Sequence, residues 1–248
     1  MAVVKPVPGQ EADLADIITA LRQSGSAVIS SPGNTASFAE TDVSPGVTDC
    51  AICVLTQRSV DRSLRAFFTE FVNDPAVRID FRKAQGFCAS HTPLLASCGD
   101  ALGVAILYAD LADEVLRRWR SGAASSGKRA FARLFSQSGP LPCPACVAQS
   151  EAEKRYTAAL ARGLSQTEEL WPVLRECSGL CVNHVDQTAA LADRASAARL
   201  LEIECQRIDR LAAELQEIIR KNDYRFRGEP WGPERDAWRR ALLRITRP

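Results

Sequence analysis

The chain has 248 residues, of which 46% are hydrophobic and 25% are charged, with a formal net charge of +1. Such a composition is sufficient for a folded core and gives no bulk electrostatic attraction toward nucleic acid or a membrane surface. Aromatic residues make up only 6%, while Ala, Leu and Arg are abundant. The composition therefore favours helices over sheets.

The N-terminal residues lack the basic start and apolar stretch of a secretory signal, and Pro6 and Pro8 interrupt them. No run of about 18 apolar residues occurs, so we expect no membrane-spanning helix and a cytoplasmic location. Residues 1–49 are predicted to form an N-terminal helix and a loop. In the reducing cytosol, the nine cysteines indicate metal or redox chemistry more than structural disulfides.

The first predicted helical unit covers residues 50–120. Apolar residues recur at helical spacing after Cys53, and Asp74-Pro75 then starts a short second helix. Gly86 is expected to end that helix, because glycine is the usual residue at this position. A third, long helix is predicted from Cys88-x2-His91 to about Arg120.

Residues 121–142 are rich in Gly and Ser at both ends and are predicted to be a linker. Residues 143–220 are predicted to repeat the first unit, with Gly179 in the place of Gly86. Their last helix is expected to run from about His184 to Arg220. Its predicted packing seam contains residues seven apart, which are Leu201, Ile208 and Leu215, with Leu211, Ile218 and Ile219 beside them.

One pattern, C-x2-C followed by C-x2-H, occurs twice with identical spacing, and the copies superpose without a gap at an offset of 93. Self-similarity of this kind predicts an all-α fold built as a tandem, pseudo-symmetric helical repeat. Both histidines of the chain belong to the pattern. The candidate metal ligands are Cys50, Cys53, Cys88 and His91 in the first copy, and Cys143, Cys146, Cys181 and His184 in the second.

Each copy supplies three thiolates and one imidazole, which is a usual ligand set of a closed structural zinc site. We therefore expect each repeat to close around its own ion, giving two zinc ions in all. The alternative is two [4Fe–4S] clusters, since such a cluster also takes four protein ligands. Dithiol redox chemistry at Cys143-x2-Cys146 is less favoured, because no thioredoxin-like βαβ pattern surrounds it.

Four arginines recur at the same offset: Arg62 with Arg155 and Arg82 with Arg175. A Zn–Cys3His centre carries a charge of about −1, so these guanidiniums are predicted to lie beside the ligands and offset it. The alternative is that they are solvated surface residues. Cys98, Cys177 and Cys205 are predicted to be small core residues, and Cys177, four residues before Cys181, is also a weaker candidate ligand.

The tail, residues 221–248, carries eight Lys or Arg against four acids, with four aromatic residues interleaved. Such a pattern can serve nucleic acid or a partner surface. We favour a strap whose aromatic residues pack on the helices. Its first part, K-x-D-Y-R-F-R-x-E-P, together with GFCASH at 86–91 and the C-x2-C elements, resembles an uncharacterised bacterial family, a domain of unknown function.

The resemblance covers roughly residues 50–245, with Gly-Leu-Cys in place of Gly-Phe-Cys in the second copy. It implies the helical architecture and the metal sites and supplies no activity. The sequence therefore predicts a metal-stabilised scaffold or accessory protein that binds another protein. An iron–sulfur electron carrier and a nucleic-acid-binding regulator are the alternatives. No G-x-S-x-G, P-loop or GxGxxG motif indicates an enzyme.

Overall fold

A computed structural model describes residues 10–26, 50–98, 100–124, 141–226 and 228–245. Within these ranges the regular structure is helical and contains no strand, so the predicted all-α class is confirmed. Of the predicted linker 121–142, residues 121–124 belong to the end of a helix, and residues 125–140 lie outside the described residues, as do residues 27–49 of the predicted loop.

Ten α-helices and two short turns of other helix types follow one another along the described residues. They are α1 (Gln10–Ser26), α2 (Ala51–Ala66), a π-helical turn (Phe67–Phe71), α3 (Pro75–Lys83), α4 (Thr92–Cys98), α5 (Ala101–Ala124), α6 (Pro144–Gln166), α7 (Leu170–Glu176), α8 (Val182–Leu191), α9 (Arg194–Lys221), a 3-10 turn (Pro233–Asp236) and α10 (Ala237–Ile245).

The chain divides into two compact units. The first comprises Met1–Thr56 and Glu153–Pro248, and the second comprises Gln57–Ala152. Both divisions fall within helices, at Thr56 in α2 and at Ala152 in α6. The first unit thus takes residues from both of the predicted segments 50–120 and 143–220.

The core of the second unit is built from phenylalanines. Phe67, Phe68, Phe81 and Phe87 form a cluster whose ring centroids lie 5.3–6.3 Å apart. Burying a side chain of this kind stabilises a fold by about 1.5–3 kcal/mol. Because Phe87 directly precedes Cys88, this core also fixes the start of the first C-x2-H element.

The end of α3 explains the glycine in front of that element. The Gln85 N–H donates to the Arg82 carbonyl at 3.0 Å, and the Gly86 N–H donates to the Phe81 carbonyl at 3.1 Å. This pair of bonds is the Schellman motif, and Gln85 takes its left-handed position with a φ of 59°. Gly86 follows with a φ of 88°. The glycine thus stands one residue beyond the position expected of it.

In the first unit, α1 packs against α7 and α8 packs against α9. The largest fully buried side chains there include Trp171, Tyr156 and Leu200. Of the predicted seam of α9, Leu211 is buried as expected, but Leu201 is 41% exposed and Leu200 beside it is fully buried. The buried face of this helix also contains Ile203.

Two predicted long helices are each interrupted by an aspartate. The helix expected from Cys88 to Arg120 is α4 and α5, and Asp100 accepts a hydrogen bond from the Gly103 N–H at 2.8 Å. The helix expected from His184 to Arg220 is α8 and α9, and Asp193 accepts from the Ala195 N–H at 3.0 Å. An aspartate at such a position caps a new helix, and this local stabilisation ends the continuous helix.

Candidate metal centres

The eight predicted ligands form two clusters, in each of which the ligand atoms all lie within 4.8 Å of one another. We name the clusters by their order along the chain. The outer centre consists of Cys50, Cys53, Cys181 and His184, and the inner centre consists of Cys88, His91, Cys143 and Cys146.

This grouping corrects the expectation that each repeat closes around its own ion. The C-x2-C pair of one copy instead meets the C-x2-H pair of the other copy, and the exchange is reciprocal. The inner centre is therefore nested between the two halves of the outer centre along the chain. All ligands of the outer centre lie in the first compact unit, and all ligands of the inner centre lie in the second.

In the outer centre, the ligand atoms converge on the imidazole of His184. Its Nδ1 lies 3.4 Å from the Sγ of Cys50, 3.3 Å from the Sγ of Cys53 and 3.1 Å from the Sγ of Cys181. The Sγ atoms of Cys53 and Cys181 are 3.8 Å apart. Cys50, Cys181 and His184 are only 3–5% exposed.

The inner centre has the same arrangement around His91. Its Nδ1 lies 3.2 Å from the Sγ of Cys88, 3.4 Å from that of Cys146 and 3.9 Å from that of Cys143. The Sγ atoms of Cys88 and Cys146 are 3.7 Å apart. In this centre Cys143 and His91 are buried, whereas Cys88 and Cys146 are only half-buried.

Helix starts bring the C-x2-C ligands together. Cys50 directly precedes α2, where the Val54 N–H donates to its carbonyl at 3.0 Å, and Cys143 precedes α6, where the Val147 N–H donates to its carbonyl at 3.1 Å. Residues three apart in a first turn face the same side. The free N–H groups and the helix dipole at such a position favour thiolate over thiol.

The C-x2-H ligands lie at the start of a helix or just before one. Cys181 immediately precedes α8, and the Val185 N–H donates to its carbonyl at 3.0 Å. Cys88 and His91 form a turn before α4, in which the His91 N–H donates to the Cys88 carbonyl at 3.0 Å. In both elements, three residues of tight backbone turn a sulfur and an imidazole nitrogen toward the same point.

The close thiols of the inner centre shift one another's pKa. Burial opposes ionisation of Cys88, but hydrogen bonds with His91 and the neighbouring thiols outweigh burial and lower its pKa to about 6. Burial, together with Cys88 and Cys143, raises the pKa of Cys146 to about 12. Such a cluster cannot ionise fully by itself, and a divalent cation would offset the charge of the three thiolates.

The outer centre shows the same mutual effect more strongly. Hydrogen bonds with Cys50 and Cys53 lower the pKa of the Cys181 thiol, whereas contact with Cys181 and Cys50 raises the pKa of Cys53. Burial lowers the pKa of His184, but Cys181 and Cys50 outweigh it and raise that pKa to about 10. These groups therefore lie close enough to influence one another's protonation.

A carboxylate supports the imidazole of the outer centre. The Oε1 of Glu153 lies 3.0 Å from His184 Nε2 and also accepts from Gln187 Nε2 at 2.9 Å and Asn183 Nδ2 at 3.2 Å. A partner of this kind fixes the tautomer and orientation of a metal-binding histidine. Glu153 is absent from the residues predicted from sequence. The sequence does contain a signal for Glu153, because this position differs between the two copies: at the offset of 93 the corresponding residue of the first copy is Val60.

A buried charged cluster holds the loop that leads to Cys181. The Glu204 carboxylate pairs with Arg207 Nη1 at 2.6 Å and with Arg244 Nη2 at 3.0 Å, and its Oε1 accepts from the Leu180 N–H at 3.4 Å. Arg207 Nη2 donates to the Cys177 carbonyl at 3.0 Å. Helices α9 and α10 thereby fix the backbone immediately before a ligand of the outer centre.

The three cysteines outside the repeat have separate positions. Cys177 is buried, and its sulfur accepts from the Gly179 N–H at 3.3 Å; the outer centre has four ligands without it. Burial raises the pKa of the Cys177 thiol. Cys98 is half-buried, but Cys205 is exposed. The expectation of a core position is therefore wrong for Cys205.

The four recurring arginines have different surroundings. Arg82 Nη1 lies 3.2 Å from an oxygen of Asp110, and Arg155 Nε lies 3.2 Å from an oxygen of Asp13. Arg62 and Arg175 are exposed. Their predicted role of offsetting charge beside the ligands stays a prediction.

Acidic partners engage most of the basic side chains described in the tail. Lys221 pairs with Glu234 at 2.6 Å, Arg225 pairs with Asp223 at 2.7 Å, and Arg240 pairs with both Asp236 and Glu214. Arg244 belongs to the buried cluster described above. The expected packing of the tail's aromatic residues on the helices is wrong for Tyr224 and Trp231, which are 81% and 46% exposed.

Comparison with known proteins gives a family and a relative without an assigned function. The sequence model of a family of unknown function, DUF6062, matches residues 38–247. An uncharacterized 23.9 kDa protein encoded in the xynA 3′ region of Caldicellulosiruptor sp. (strain Rt8B.4) is 30% identical over 177 residues, which are 71% of this chain and 83% of that protein. No solved structure matches significantly. Among the described helices, none combines the length and apolar character needed to cross a membrane.

Proposed function

This chain belongs to the DUF6062 family, a family of unknown function, and we propose that it is a two-zinc helical scaffold or accessory protein that binds another protein. In this proposal each zinc ion joins two chain segments that are distant in sequence. The outer centre joins residues 50–53 to 181–184, and the inner centre joins residues 88–91 to 143–146.

The separation of the sulfur atoms is the observation that carries the assignment to zinc. Two thiolates bound to one tetrahedral zinc ion at the usual bond length lie about 3.8 Å apart. In the structure, the Sγ atoms of Cys53 and Cys181 are 3.8 Å apart in the outer centre, and those of Cys88 and Cys146 are 3.7 Å apart in the inner centre. Three sulfurs and one nitrogen complete a common structural zinc set.

The same distances weigh against the iron–sulfur alternative. In a [4Fe–4S] cluster each protein ligand binds a different iron, so the ligand atoms must stand apart by more than the edge of the cluster. In this protein all four ligand atoms of each centre lie within 4.8 Å of one another. That space suits one ion better than a cluster.

A closed ligand set favours a structural role over a catalytic one. Each centre has four protein ligands, whereas catalytic zinc usually keeps one position open for water or substrate. Structural zinc contributes apparent binding energies of about 10–16 kcal/mol in small peptides at pH 7, and this energy acts as folding energy. The ions would therefore determine whether the helices hold together.

The reciprocal pairing supports the tandem, pseudo-symmetric repeat. Each copy gives its C-x2-C to one centre and its C-x2-H to the other. In both copies a glycine with positive φ stands two residues before the C-x2-H element, at 88° for Gly86 and 97° for Gly179. Such correspondence is expected if one ancestral unit was duplicated and two copies shared their ligands.

Partner binding draws its support from the surface. Leu116 and Trp119, three residues apart on one face of α5, are 40% and 65% exposed, and neighbouring exposed apolar side chains are frequent at protein interfaces. A nucleic-acid function is less favoured, because Lys221, Arg225 and Arg240 of the basic tail pair with acidic side chains of this chain.

The state of the cysteines bears on the cellular compartment. None of them forms a disulfide, which fits a reducing compartment such as the cytoplasm.

Elemental analysis combined with a visible spectrum tests the metal assignment. We expect protein purified without air to be colourless and to contain two zinc ions per chain. A brown protein that contains iron and sulfide would overturn the assignment and favour the electron carrier.

The binding function needs a separate test. We expect Trp119→Ala to weaken capture of the partner protein while the zinc content stays at two ions per chain. Equal capture by wild type and by Trp119→Ala would contradict a binding role of this surface.

A further inference from the structure

The two centres share a ligand set but differ in what surrounds it. Resting on the proposed zinc function, we infer that they have separate roles: the outer centre, with His184 held by Glu153, keeps its ion, and the inner centre is the site of zinc exchange. Competing thiols or chelators would then remove zinc from the inner centre first. Glu153 acts as a positioning residue, through the imidazole of His184.

Glu153 is itself held in place beside the outer centre. Its Oε1 contacts His184 Nε2 at 3.0 Å and accepts from the side-chain amides of Asn183 and Gln187. A histidine anchored at Nε2 presents Nδ1 in one orientation, and Nδ1 faces the three sulfurs. Loss of such a partner typically weakens metal binding by about 10- to 100-fold.

The corresponding place beside the inner centre holds an apolar residue. At the offset of 93, Val60 stands where Glu153 stands, and it is buried among apolar side chains such as Leu64 and Phe68. A valine has no oxygen with which to hold an imidazole. Within the ranges that the structure describes, His91 contacts the three sulfurs of its centre and no carboxylate. Its ring therefore depends on packing for its orientation.

The two centres also differ in their access to solvent. In the outer centre Cys50, Cys181 and His184 are buried and one sulfur, on Cys53, is half-buried, whereas the inner centre has two half-buried sulfurs, on Cys88 and Cys146. Zinc exchange with a chelator proceeds by stepwise replacement of ligands, so a sulfur near solvent gives the competitor its first position. The inner centre offers two such sulfurs at 3.7 Å from each other.

The backbone before Cys181 adds a further restraint on the outer centre. The Leu180 N–H donates to Glu204 at 3.4 Å, and the Leu180 carbonyl accepts from Arg244 at 3.5 Å. Both partners belong to the cluster described above, in which Glu204 is buried and Arg244 is half-buried. To release its ion, Cys181 would have to move against these bonds.

The test uses the full chain carrying two zinc ions and an excess of a chromogenic chelator such as 4-(2-pyridylazo)resorcinol. We expect one equivalent to be released in a fast phase and one in a slow phase. Alkylation with iodoacetamide during the reaction, read by mass spectrometry, assigns the phases without any substitution. Cys88 and Cys146 should be modified with the fast phase, and Cys50 and Cys181 with the slow phase.

Glu153→Gln tests the positioning role. We expect it to accelerate the slow phase by about 10- to 100-fold and to leave the fast phase unchanged. Glu151→Gln is the matched control, because Glu151 is an exposed residue of the same helix. It should change neither phase.

Three results would overturn the inference: release of both ions in one phase, modification of the outer cysteines first, or equal rates for wild type and Glu153→Gln. Failure of the proposed function looks different. In that case wild type would not carry two zinc ions before any chelator is added. If only this inference fails, wild type carries two zinc ions and the chelator removes both at the same rate.

Discussion

The sulfurs of Cys53 and Cys181 lie 3.8 Å apart, although 128 residues separate them along the chain. The two residues belong to different copies of the repeat. Cys88 and Cys146, 58 residues apart, make the reciprocal contact at 3.7 Å. Cysteines from different copies therefore lie side by side, and counting ions tests whether they share one.

Paired substitutions should reveal which ligands share an ion. We expect Cys53→Ser combined with Cys181→Ser to cost one zinc ion per chain, since both residues belong to the outer centre. Cys53→Ser combined with Cys88→Ser should cost both ions, because it damages each centre. Native mass spectrometry of the full chain counts the ions. The reverse result, with two ions lost in the first variant and one in the second, would restore pairing within each repeat.

Loss of a ligand should destabilise the protein strongly. Cys88→Ser removes one thiolate from the inner centre, and we expect a loss of about 4 kcal/mol, or about 10 °C in melting temperature for a chain of this size. Cys205→Ser is the control, since Cys205 is exposed and outside both centres. Calorimetry should show little change for this control. An equal melting temperature for both variants would exclude a structural ion at the inner centre.

Gly179 should tolerate no side chain. Its φ is 97°, and an added Cβ would collide with the guanidinium of Arg244. We expect Gly179→Ala to lower the free energy of unfolding by about 1–3 kcal/mol, measured by urea denaturation. Gly228→Ala is the matched control, because a Cβ there meets nothing within 4 Å. Equal midpoints for the two variants would show that the loop before Cys181 can move freely.

The buried carboxylate of Glu204 should be essential for folding stability. It pairs with Arg207 at 2.6 Å and Arg244 at 3.0 Å. Glu204→Ala would leave the buried guanidinium of Arg207 and the half-buried guanidinium of Arg244 without their carboxylate, and breaking a buried pair in this way typically costs about 3–5 kcal/mol. Glu202→Ala, an exposed position on the same helix, should cost little. Chemical denaturation of both variants measures the difference, and a cost below that of Glu202→Ala would contradict this role.

The helices and the ligands could be predicted from sequence because both leave local signals. Apolar spacing predicts α2, and Asp74-Pro75 predicts the start of α3, whose N-cap the structure places at Asp74. The breaks before α5 and α9 also have a local signal, since Asp100 and Asp193 are capping residues. The periodic pattern continues past both aspartates, so periodicity by itself predicts one long helix in each place.

The pairing of the ligands could not be predicted in the same way. Either choice gives each centre one C-x2-C and one C-x2-H, so ligand chemistry does not distinguish them. The shorter loop within a repeat is favoured by chain entropy. Tertiary packing determines which C-x2-C pair lies beside which C-x2-H pair. In this packing Phe87 fixes the turn at Cys88, and Glu204 fixes the loop before Cys181.

The nested order of the centres also has a consequence for the growing chain on the ribosome. Once His91 has emerged, the nascent chain already holds a complete Cys3His set made of Cys50, Cys53, Cys88 and His91, and this set is the non-native one. The native inner centre requires Cys146, and the outer centre must wait for His184. At about 5–20 residues per second, seconds pass between these stages. An ion bound early would have to change partners, so the speed of maturation would depend on how much free zinc surrounds the ribosome.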